Sequence, residues 1–496
     1  MSALSPLPDA AARLAALERE AAHQAALSAG DGRAWVDERD GVHPVVIVGG
    51  GQAGLVLARG LRRRGIDDVV VLDAAPADGA GPWTTYARMH TLRTPKDIAW
   101  PTWGTPAVSP RAWFEAVYGP AAWDAIEYFP TAAWHGFLQW YRDVSAIAVI
   151  PSTRVTSIIP GDGPLELALE GPDGTWMLEA HHVVLATGIE GAGGRHLPGI
   201  LDALPVDRVH HTHDDIDFDA LAGLRIGILG AGTGAFDNAA TALEHGAASV
   251  DVHMRRAAMP QVSPYRWMEF AGLIENYGTF TDAQKWAFNV HLSAVDQPAT
   301  QNALWRAHAF DDFRFLTSSP WESASWTGTE IAVTTPHGIH HYDVVLAATG
   351  IVSDLARRPE LATVAPDATL WSDRLSPEAA AQNPGLAAFP YLDDDFGLVD
   401  RGGREALSRI HLFNHGARVS QGMLSHQIPG LVGGATKLAA ALSRRLFARH
   451  SDELLDEYLA YDVPVGVHIG RRPAAAASPS VGQDAAASAR TEPVHT

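Results

Sequence analysis

A pattern that occurs twice constrains this fold more than any other feature of the chain: an apolar strand, a glycine turn, a helix and a second apolar strand. The first copy reads VVIVGGGQAGLVLARGLRRRGIDDVVVLD, and Gly49, Gly51 and Gly54 form its Gly-x-Gly-x-x-Gly turn. Such a turn lets the backbone approach a pyrophosphate and points the free N–H groups of the helix N-terminus toward it. Asp73 ends the second strand, where a carboxylate accepts hydrogen bonds from a ribose 2′-hydroxyl and repels a 2′-phosphate. We therefore predict a dinucleotide site for an unphosphorylated ribose.

The second copy reads RIGILGAGTGAFDNAATALEHGAASVDVHMRR and ends in two arginines instead of an acidic residue. Gly230, Gly232 and Ala235 form its turn, in which alanine is a tolerated third residue. Guanidinium groups pair with phosphate and keep their charge, so Arg255 and Arg256 predict a site for the 2′-phosphate of NADPH. The alternative is that both arginines are solvated or paired with acids. Two dinucleotides of different type imply electron transfer between them, from NADPH at the second site to FAD at the first.

The segments between the two copies complete the predicted architecture. Residues 154–188 hold short alternating runs separated by GDGP and GPDG, which is typical of an antiparallel β-meander. Residues 264–315 are rich in aromatic side chains and are predicted to be mostly helical. The predicted fold class is α/β, with two Rossmann-like dinucleotide-binding domains, one for FAD and one for NADPH, and a β-meander in the FAD domain.

The predicted domain boundaries follow from these changes in pattern. They are an N-terminal helical extension over 1–40 with its helix from Asp9 to Leu27, a first FAD-domain part over 41–190, an NADPH domain with a helical insertion over 191–345, a second FAD-domain part over 346–470, and a disordered tail over 471–496.

Composition excludes several classes of function. The chain contains no cysteine, which excludes disulfides, thiolate metal sites, a thiol nucleophile and a redox-active cysteine pair. A formal net charge of −20 disfavours nucleic acid as a partner. No apolar run is long enough to cross a membrane and the first residues lack a secretory signal, so we expect a cytoplasmic protein without membrane contact. A homodimer is the expected assembly, because two-fold dimers are the commonest oligomers.

With these motifs the chain resembles the flavoproteins with two dinucleotide-binding domains, and among them the class B flavin-dependent monooxygenases. That family includes flavin-containing, N-hydroxylating and Baeyer–Villiger monooxygenases, whereas the related disulfide reductases need the cysteine pair that this chain lacks. The positions that match family segments are Gly81, Trp83 and Arg88 along the flavin, Ala186, Thr187, Gly188, Ala348, Thr349 and Gly350 in two crossover segments between domains, and His211 and Thr212 before the NADPH turn.

The resemblance implies a reaction with NADPH, FAD, molecular oxygen and a small-molecule substrate. NADPH would reduce the flavin, and a flavin C4a-peroxide would transfer one oxygen atom to an amine, a sulfide or a carbonyl carbon. The Baeyer–Villiger fingerprint is not intact, because Asp215 replaces its expected aromatic residue and the preceding Phe-x-Gly is absent. Two alternatives stay open: an NADPH:acceptor oxidoreductase that inserts no oxygen, and a non-catalytic dinucleotide-binding redox sensor.

Three residues are predicted to be catalytic. Arg266 follows the NADPH strand and would hold the nicotinamide or a peroxide anion, unless it is a helix-surface arginine. His90 stands where Baeyer–Villiger enzymes carry an aspartate, and Arg93, with Lys96, would line the active site or meet a cofactor phosphate.

Two further groups are candidates for the active site. The segment HGARVSQGMLSHQIPGL would close over the flavin with Ser425, His426 and Gln427, and Trp267, Trp286 and Trp305 would wall a substrate pocket unless they are core. The run from His210 to Asp215 contains three histidines, but nothing else in the chain supports a metal centre, and we expect none.

Overall fold

The helices and strands come from a computed structural model, which describes residues 4–28, 32–36, 38, 41–97, 99–465 and 467. The helices are α1 (Ala10–Leu27), α2 (Gln52–Arg62), α3 (Pro110–Tyr118), α4 (Pro120–Ala125), α5 (Thr131–Val144), α6 (Thr233–Glu244), α7 (Pro264–Met268), α8 (Ala271–Asn276), α9 (Asp282–Val295), α10 (Gln301–Ala307), α11 (Pro377–Gln382), α12 (Pro384–Ala387), α13 (Arg418–Gln421), α14 (Leu431–Arg449) and α15 (Ser451–Leu459).

The strands form two main sheets and three smaller ones. They are β1 (Val42–Val48), β2 (Val69–Leu72), β3 (Thr91–Pro95), β4 (Tyr128–Pro130), β5 (Val149–Ile150), β6 (Arg154–Ile159), β7 (Leu165–Gly171), β8 (Gly174–Leu185), β9 (Gly193–Arg195), β10 (Val209–His211), β11 (Arg225–Leu229), β12 (Ser249–His253), β13 (Phe313–Leu316), β14 (Ser323–Trp326), β15 (Ile331–Thr335), β16 (Gly338–Tyr342), β17 (Val344–Ala347), β18 (Ile351–Ser353) and β19 (Ile410–Leu412).

The first sheet is built on the first glycine unit and has the strand order β5-β2-β1-β8-β7-β6, with β19 beside β8. Strand β1 pairs in parallel with β2 and β8, and its residues Val45, Val46 and Ile47 are completely buried, as expected of a strand covered on both faces. Strands β6, β7 and β8 pair antiparallel. The predicted parallel unit and the predicted β-meander are both confirmed.

The second sheet is built on the second glycine unit and is parallel throughout, in the order β10-β17-β11-β12-β13. Its edge strand β13 begins in the last residues of the region predicted to be mostly helical, and residues 313–315 are strand. Phe313 is buried and pairs with Val250 of β12, and this long-range pairing overrides the local pattern. The rest of the predicted helical region forms α7 to α10.

Two small antiparallel sheets complete the second half of the chain. Strands β14, β15 and β16 form a three-stranded sheet that buries Ile331, Val333 and Tyr342. Strands β9 and β18 pair with each other, with Ile351 opposite Arg195. Strand β18 directly follows the second Ala-Thr-Gly segment, and β9 follows the first one after a short turn. The two chain crossings between the sheets are therefore hydrogen-bonded to each other, which holds the two dinucleotide-binding units side by side.

The two ends of the chain contribute further helices. Helix α1 confirms the helix predicted from Asp9, and Arg13 donates from Nε to the carbonyl of Ala116 at 3.1 Å. Residues up to Phe447 form one compact unit, and residues from Ala448 onward form a second one that contains α15. The tail predicted over 471–496 lies outside the described residues. None of the helices in the described ranges is long and apolar enough to cross a membrane.

Candidate active site

The first glycine turn packs directly against the first crossover segment. Gly49 has a φ of +113°, and a Cβ atom there would lie 2.5 Å from the carbonyl oxygen of Ala186. Gly54 faces the same turn, because its Cβ would lie 1.9 Å from the oxygen of Gly49. Both glycines are therefore required for steric reasons, and helix α2 begins directly after Gly51 with its first N–H groups free for a ligand.

Asp73 and a neighbouring cavity fit the adenosine half of FAD. The two carboxylate oxygens of Asp73 accept from the backbone N–H groups of Gly50 at 2.7 Å and Ala75 at 2.8 Å, which holds the carboxylate at the end of β2. Beside it lies a cavity of about 210 Å³, also lined by Gln139 and Arg142. The Oε1 atom of Gln139 is buried and has no hydrogen-bond partner among the described residues. A ligand with hydrogen-bond donors would satisfy it.

Two residues of the segment predicted to lie along the flavin, Trp83 and Arg88, have different surroundings. The indole Nε1 of Trp83 is buried and unpartnered within the described chain, and the ring packs edge-on against Trp134 at 6.4 Å. Arg88 instead donates to the carbonyls of Thr212 at 2.8 Å and Asp214 at 2.6 Å, and burial lowers its pKa to about 10. Its guanidinium therefore ties the segment after the first unit to the segment before the second turn, a role that the sequence did not indicate.

The second glycine turn repeats the geometry of the first. Gly230 has a φ of +103°, and a Cβ atom there would lie 2.5 Å from the carbonyl oxygen of Ala348. Gly232 caps helix α6, and the third position holds a completely buried Ala235. The internal duplication visible in the sequence thus extends to the contact between each turn and its Ala-Thr-Gly segment.

His211 and Thr212 form hydrogen bonds with the second crossover and with the strand before it. The Nε2 atom of His211 donates to the carbonyl of Gly350 at 2.9 Å, because Nδ1 accepts from the backbone N–H of His213 at 3.1 Å. Burial lowers the pKa of His211 to about 4, so the ring is neutral at physiological pH. The N–H of Thr212 donates to Ala347 at 3.1 Å.

The Thr residues of the two Ala-Thr-Gly segments are also bonded. The Thr187 hydroxyl accepts from the side chain of Asn414 at 3.1 Å, and the Thr349 hydroxyl donates to the carbonyl of His196. Both crossover segments are therefore held by side-chain hydrogen bonds in addition to the β9–β18 pairing.

The two arginines that follow β12 differ in their surroundings. The Arg255 side chain is exposed and makes no ion pair or hydrogen bond in the ranges that the structure describes. The Arg256 side chain is 35% exposed, and its Nη1 lies 3.4 Å from Oδ2 of Asp296. Both guanidinium groups follow the strand that carries His253, whose carbonyl accepts from the N–H of Gly230 at the turn.

Two of the three predicted catalytic residues contact acidic side chains of helix α6. Arg93 lies 3.0 Å from the buried carboxylate of Asp237, and Nε2 of His90 lies 3.7 Å from Glu244. Burial, and after it the charge of Arg306, lowers the pKa of His90. Arg266 is exposed on α7 and makes no ion pair or hydrogen bond in the described part of the chain.

The C-terminal segment lies against the first crossover, and its closure over the flavin stays a prediction. The backbone N–H of His415 donates to the carbonyl of Gly188 at 3.2 Å. Gln427 is half-buried and precedes the turn into α14, and the Ser425 hydroxyl donates to the carbonyl of Gly422 at 2.9 Å. His426 is buried.

The three tryptophans proposed to line a substrate pocket differ in their burial. Trp286 is core, stacked 6.3 Å from Trp371, whereas Trp267 and Trp305 are exposed. The pocket interpretation is therefore wrong for Trp286, because α9 turns this ring toward the C-terminal half of the chain. Arg418 of the C-terminal segment, by contrast, contacts α9 and was not singled out from the sequence.

Two sheets, each built on a parallel strand–turn–helix unit whose glycine turn is set against an Ala-Thr-Gly crossover, define a flavoprotein with two dinucleotide-binding units. Residues 43–273 match the family described as pyridine nucleotide-disulphide oxidoreductase. The FAD-dependent urate hydroxylase of Xanthomonas campestris pv. campestris is 39% identical over 462 residues, which cover 90% of this chain and 96% of that protein.

Solved structures show the same fold at low sequence identity. The reduced form of ornithine hydroxylase from Pseudomonas aeruginosa has a TM-score of 0.65 and 17% identity, covering 82% of this chain and 100% of that one. L-lysine 6-monooxygenase from Pseudomonas syringae has a TM-score of 0.61 and 16% identity, covering 81% and 99%.

The chain belongs to the class B flavin-dependent monooxygenase family. It is an FAD-dependent oxidoreductase, and the fold, the enzyme class and the flavin cofactor predicted from the glycine units are confirmed. The name of the matching family refers to disulfides, but this chain lacks cysteine, so it shares the dinucleotide-binding fold of that family without its thiol chemistry.

Proposed function

We propose that this protein is an NADPH-dependent monooxygenase that hydroxylates urate. The observation that carries the proposal is the 39% identity to a urate hydroxylase across 90% of this chain and 96% of that protein. The solved structures that share the fold are too distant in sequence to indicate a substrate.

The first glycine turn, Asp73 and the adjoining cavity would hold FAD. Gly51 leaves the backbone of the turn open to a pyrophosphate, and the bonded carboxylate of Asp73 would accept from the ribose. Bound FAD supplies the redox chemistry, since it accepts a hydride and activates oxygen. The residues of this chain bind the cofactor, orient it and exclude water from the reacting face.

The second turn and its two arginines would hold NADPH. Arg255 has free donors for a 2′-phosphate, and Arg256 would share its charge between the phosphate and Asp296. Arg93 and His90 already contact carboxylates of α6, so we assign them a positioning role beside the coenzyme. Arg266 remains the candidate for contact with the nicotinamide, because its guanidinium is free of partners among the described residues.

The test is a coupled assay on the FAD-loaded enzyme. NADPH oxidation, oxygen uptake and hydrogen peroxide release are measured with urate, xanthine, ornithine and lysine, and the products are analysed by mass spectrometry under ¹⁸O₂. We expect urate alone to give a product that carries one labelled oxygen atom. Quantitative hydrogen peroxide with every compound would overturn the proposal in favour of an oxidoreductase that inserts no oxygen. A protein that binds FAD but never oxidises NADPH would favour the sensor alternative.

A further inference from the structure

Two buried histidines in the C-terminal segment have unsatisfied ring nitrogens. His415 and His426 are 6% and 7% exposed, and their ring centroids lie 5.9 Å apart at an interplanar angle of 82°. The Nδ1 atom of each ring is buried, and neither ring makes a hydrogen bond within the residues that the structure describes. Buried polar atoms without partners cost stability, so two of them side by side indicate a place where a ligand completes the hydrogen bonding.

Arg418 stands three residues after His415 and has only neutral partners. Its Nη2 donates to the hydroxyl of Ser293 at 3.0 Å, and its Nε donates to Oδ1 of Asn289 at 3.4 Å. Asn289 is itself oriented by a hydrogen bond from its Nδ2 to the Tyr277 hydroxyl at 2.8 Å. The Arg418 guanidinium therefore has a fixed position, while several of its N–H donors have no partner among the residues that the structure describes.

The charge of Arg418 is not neutralised by a carboxylate of the described chain. Asp296 acts on it only from beyond ion-pair distance, and the Asp296 carboxylate already lies 3.4 Å from Arg256. Burial lowers the pKa of Arg418, which shows the cost of holding this cation away from water. An anion from outside the chain would neutralise a cation in such surroundings.

His415 lies within electrostatic reach of both His426 and Arg418. Burial, and then the charges of His426 and Arg418, lower the pKa of His415 well below its usual value, and burial lowers the pKa of His426 to about 4. Both imidazoles are therefore neutral at physiological pH, and each offers one donor and one acceptor. The ring of Phe389 lies 5.5 Å from the ring of His415 and 6.0 Å from the guanidinium of Arg418, so it packs against one imidazole and the cation.

The cluster occupies the position expected of a substrate site. His415 begins the segment predicted to close over the flavin, and its backbone N–H donates to the carbonyl of Gly188 in the first crossover. On the other side, Arg418 is bonded to α9 of the helical insertion. The cluster thus lies between the FAD-binding half and the helical insertion. The sequence pattern of this insertion differs most from that of the two nucleotide-binding units.

We propose that Arg418, His415 and His426 bind a planar anionic heterocycle, with Arg418 as its counter-charge and the two imidazoles as hydrogen-bond partners for its polar edge. This inference rests on the proposed function, because urate is a monoanion at neutral pH and its edge alternates N–H donors with carbonyl acceptors. The flat ring of Phe389 supplies an apolar contact for such a molecule. The same positive charge repels protonated amines, so it selects against substrates such as ornithine or lysine.

The experiment compares Arg418→Gln with Arg418→Lys in the FAD-loaded enzyme, with Arg111→Gln on the exposed face of α3 as the matched control. Urate binding is followed through the change that it causes in the flavin absorbance, and Michaelis constants are measured for urate and NADPH. Loss of a charge-assisted contact predicts a rise of about 10- to 100-fold in the urate dissociation constant for Arg418→Gln. We expect partial recovery in Arg418→Lys and no change in the control.

Several results would overturn the inference. An unchanged urate constant in Arg418→Gln would do so, as would a rise confined to the NADPH constant, because the arginine would then serve a coenzyme phosphate. If Arg418→Gln fails to retain FAD, His426→Asn carries the test, with an expected rise of about tenfold in the urate constant. A wild-type enzyme that neither binds nor oxygenates urate would overturn the proposed function itself, an outcome distinct from unaltered urate binding by the variants.

Discussion

The coenzyme preference of the second site gives the sharpest test of the reasoning from sequence. The perturbation is the double replacement of Arg255 and Arg256 by alanine, which removes both cations that follow β12. Neither arginine is part of the core, since one side chain is exposed and the other is 35% exposed. The fold should therefore survive, and any effect should fall on the coenzyme.

The magnitude follows from the exposure of the two side chains. A desolvated hydrogen bond to a charged group contributes about 1.5–3 kcal/mol, but solvent screening reduces an exposed contact to about 1 kcal/mol. Two such contacts give about 2 kcal/mol, which corresponds to a change of roughly 30-fold in affinity. Arg256 should contribute less than Arg255, because Asp296 competes for its charge.

The assay is the Michaelis constant for NADPH and for NADH, measured with the wild type and the double variant. We expect the NADPH constant to rise about 30-fold and the NADH constant to change less than twofold, since NADH lacks the 2′-phosphate. Asp296→Asn serves as a control in which the opposite effect is expected. It removes the carboxylate that competes for Arg256 and should lower the Michaelis constant for NADPH slightly. Equal losses with both coenzymes in the double variant would refute the assignment of these arginines to the 2′-phosphate.

Three further predictions concern the scaffold. Gly49→Ala should abolish FAD retention, because the added Cβ would lie 2.5 Å from the crossover carbonyl, whereas Gly163→Ala, which meets nothing within 4 Å, should retain the flavin; flavin absorbance of the purified proteins checks this. Tyr342→Phe should lower the free energy of unfolding by about 1–3 kcal/mol in denaturant titration, because it leaves the buried carboxylate of Asp251 with one hydrogen bond fewer; an unchanged midpoint would contradict this. The pKa is lowered to about 4 in each of four histidines, His211, His253, His411 and His426. The unfolded chain therefore takes up protons first, so stability should be fully present above about pH 6.5 and decrease as the pH falls toward 4; thermal melts that do not shift over this window would contradict it.

The sequence predicted the two nucleotide-binding units because their signals are local. A glycine turn, the strand before it and the helix after it span about twenty residues, and their spacing alone specifies a strand–turn–helix unit. The contrast between Asp73 and the pair of arginines is equally local, since each lies at the end of the strand that follows its turn. Local patterns did not identify β13, where pairing with β12 decides the conformation.

Most of the candidate substrate site could not be predicted in this way. The sequence singled out His426 but not Arg418 or His415, because no neighbour in the chain shows that the half-buried Arg418 has no carboxylate partner among the described residues. Arg88 was assigned to the flavin by resemblance, yet the fold directs its donors to backbone carbonyls of the second unit. In each case the deciding information is the identity of a distant neighbour.

The amino-acid sequence by itself thus determined that the chain has two dinucleotide-binding units and no thiol chemistry, and it predicted one site for a free and one for a phosphorylated ribose. The tertiary structure alone decided which polar side chains remain available for a ligand. Arg88 finds its partner 124 residues away and Arg418 finds Asn289 at a separation of 129. Whether a charge is satisfied is a property of its surroundings in space, and those surroundings are assembled only when the two sheets and the helical insertion pack together.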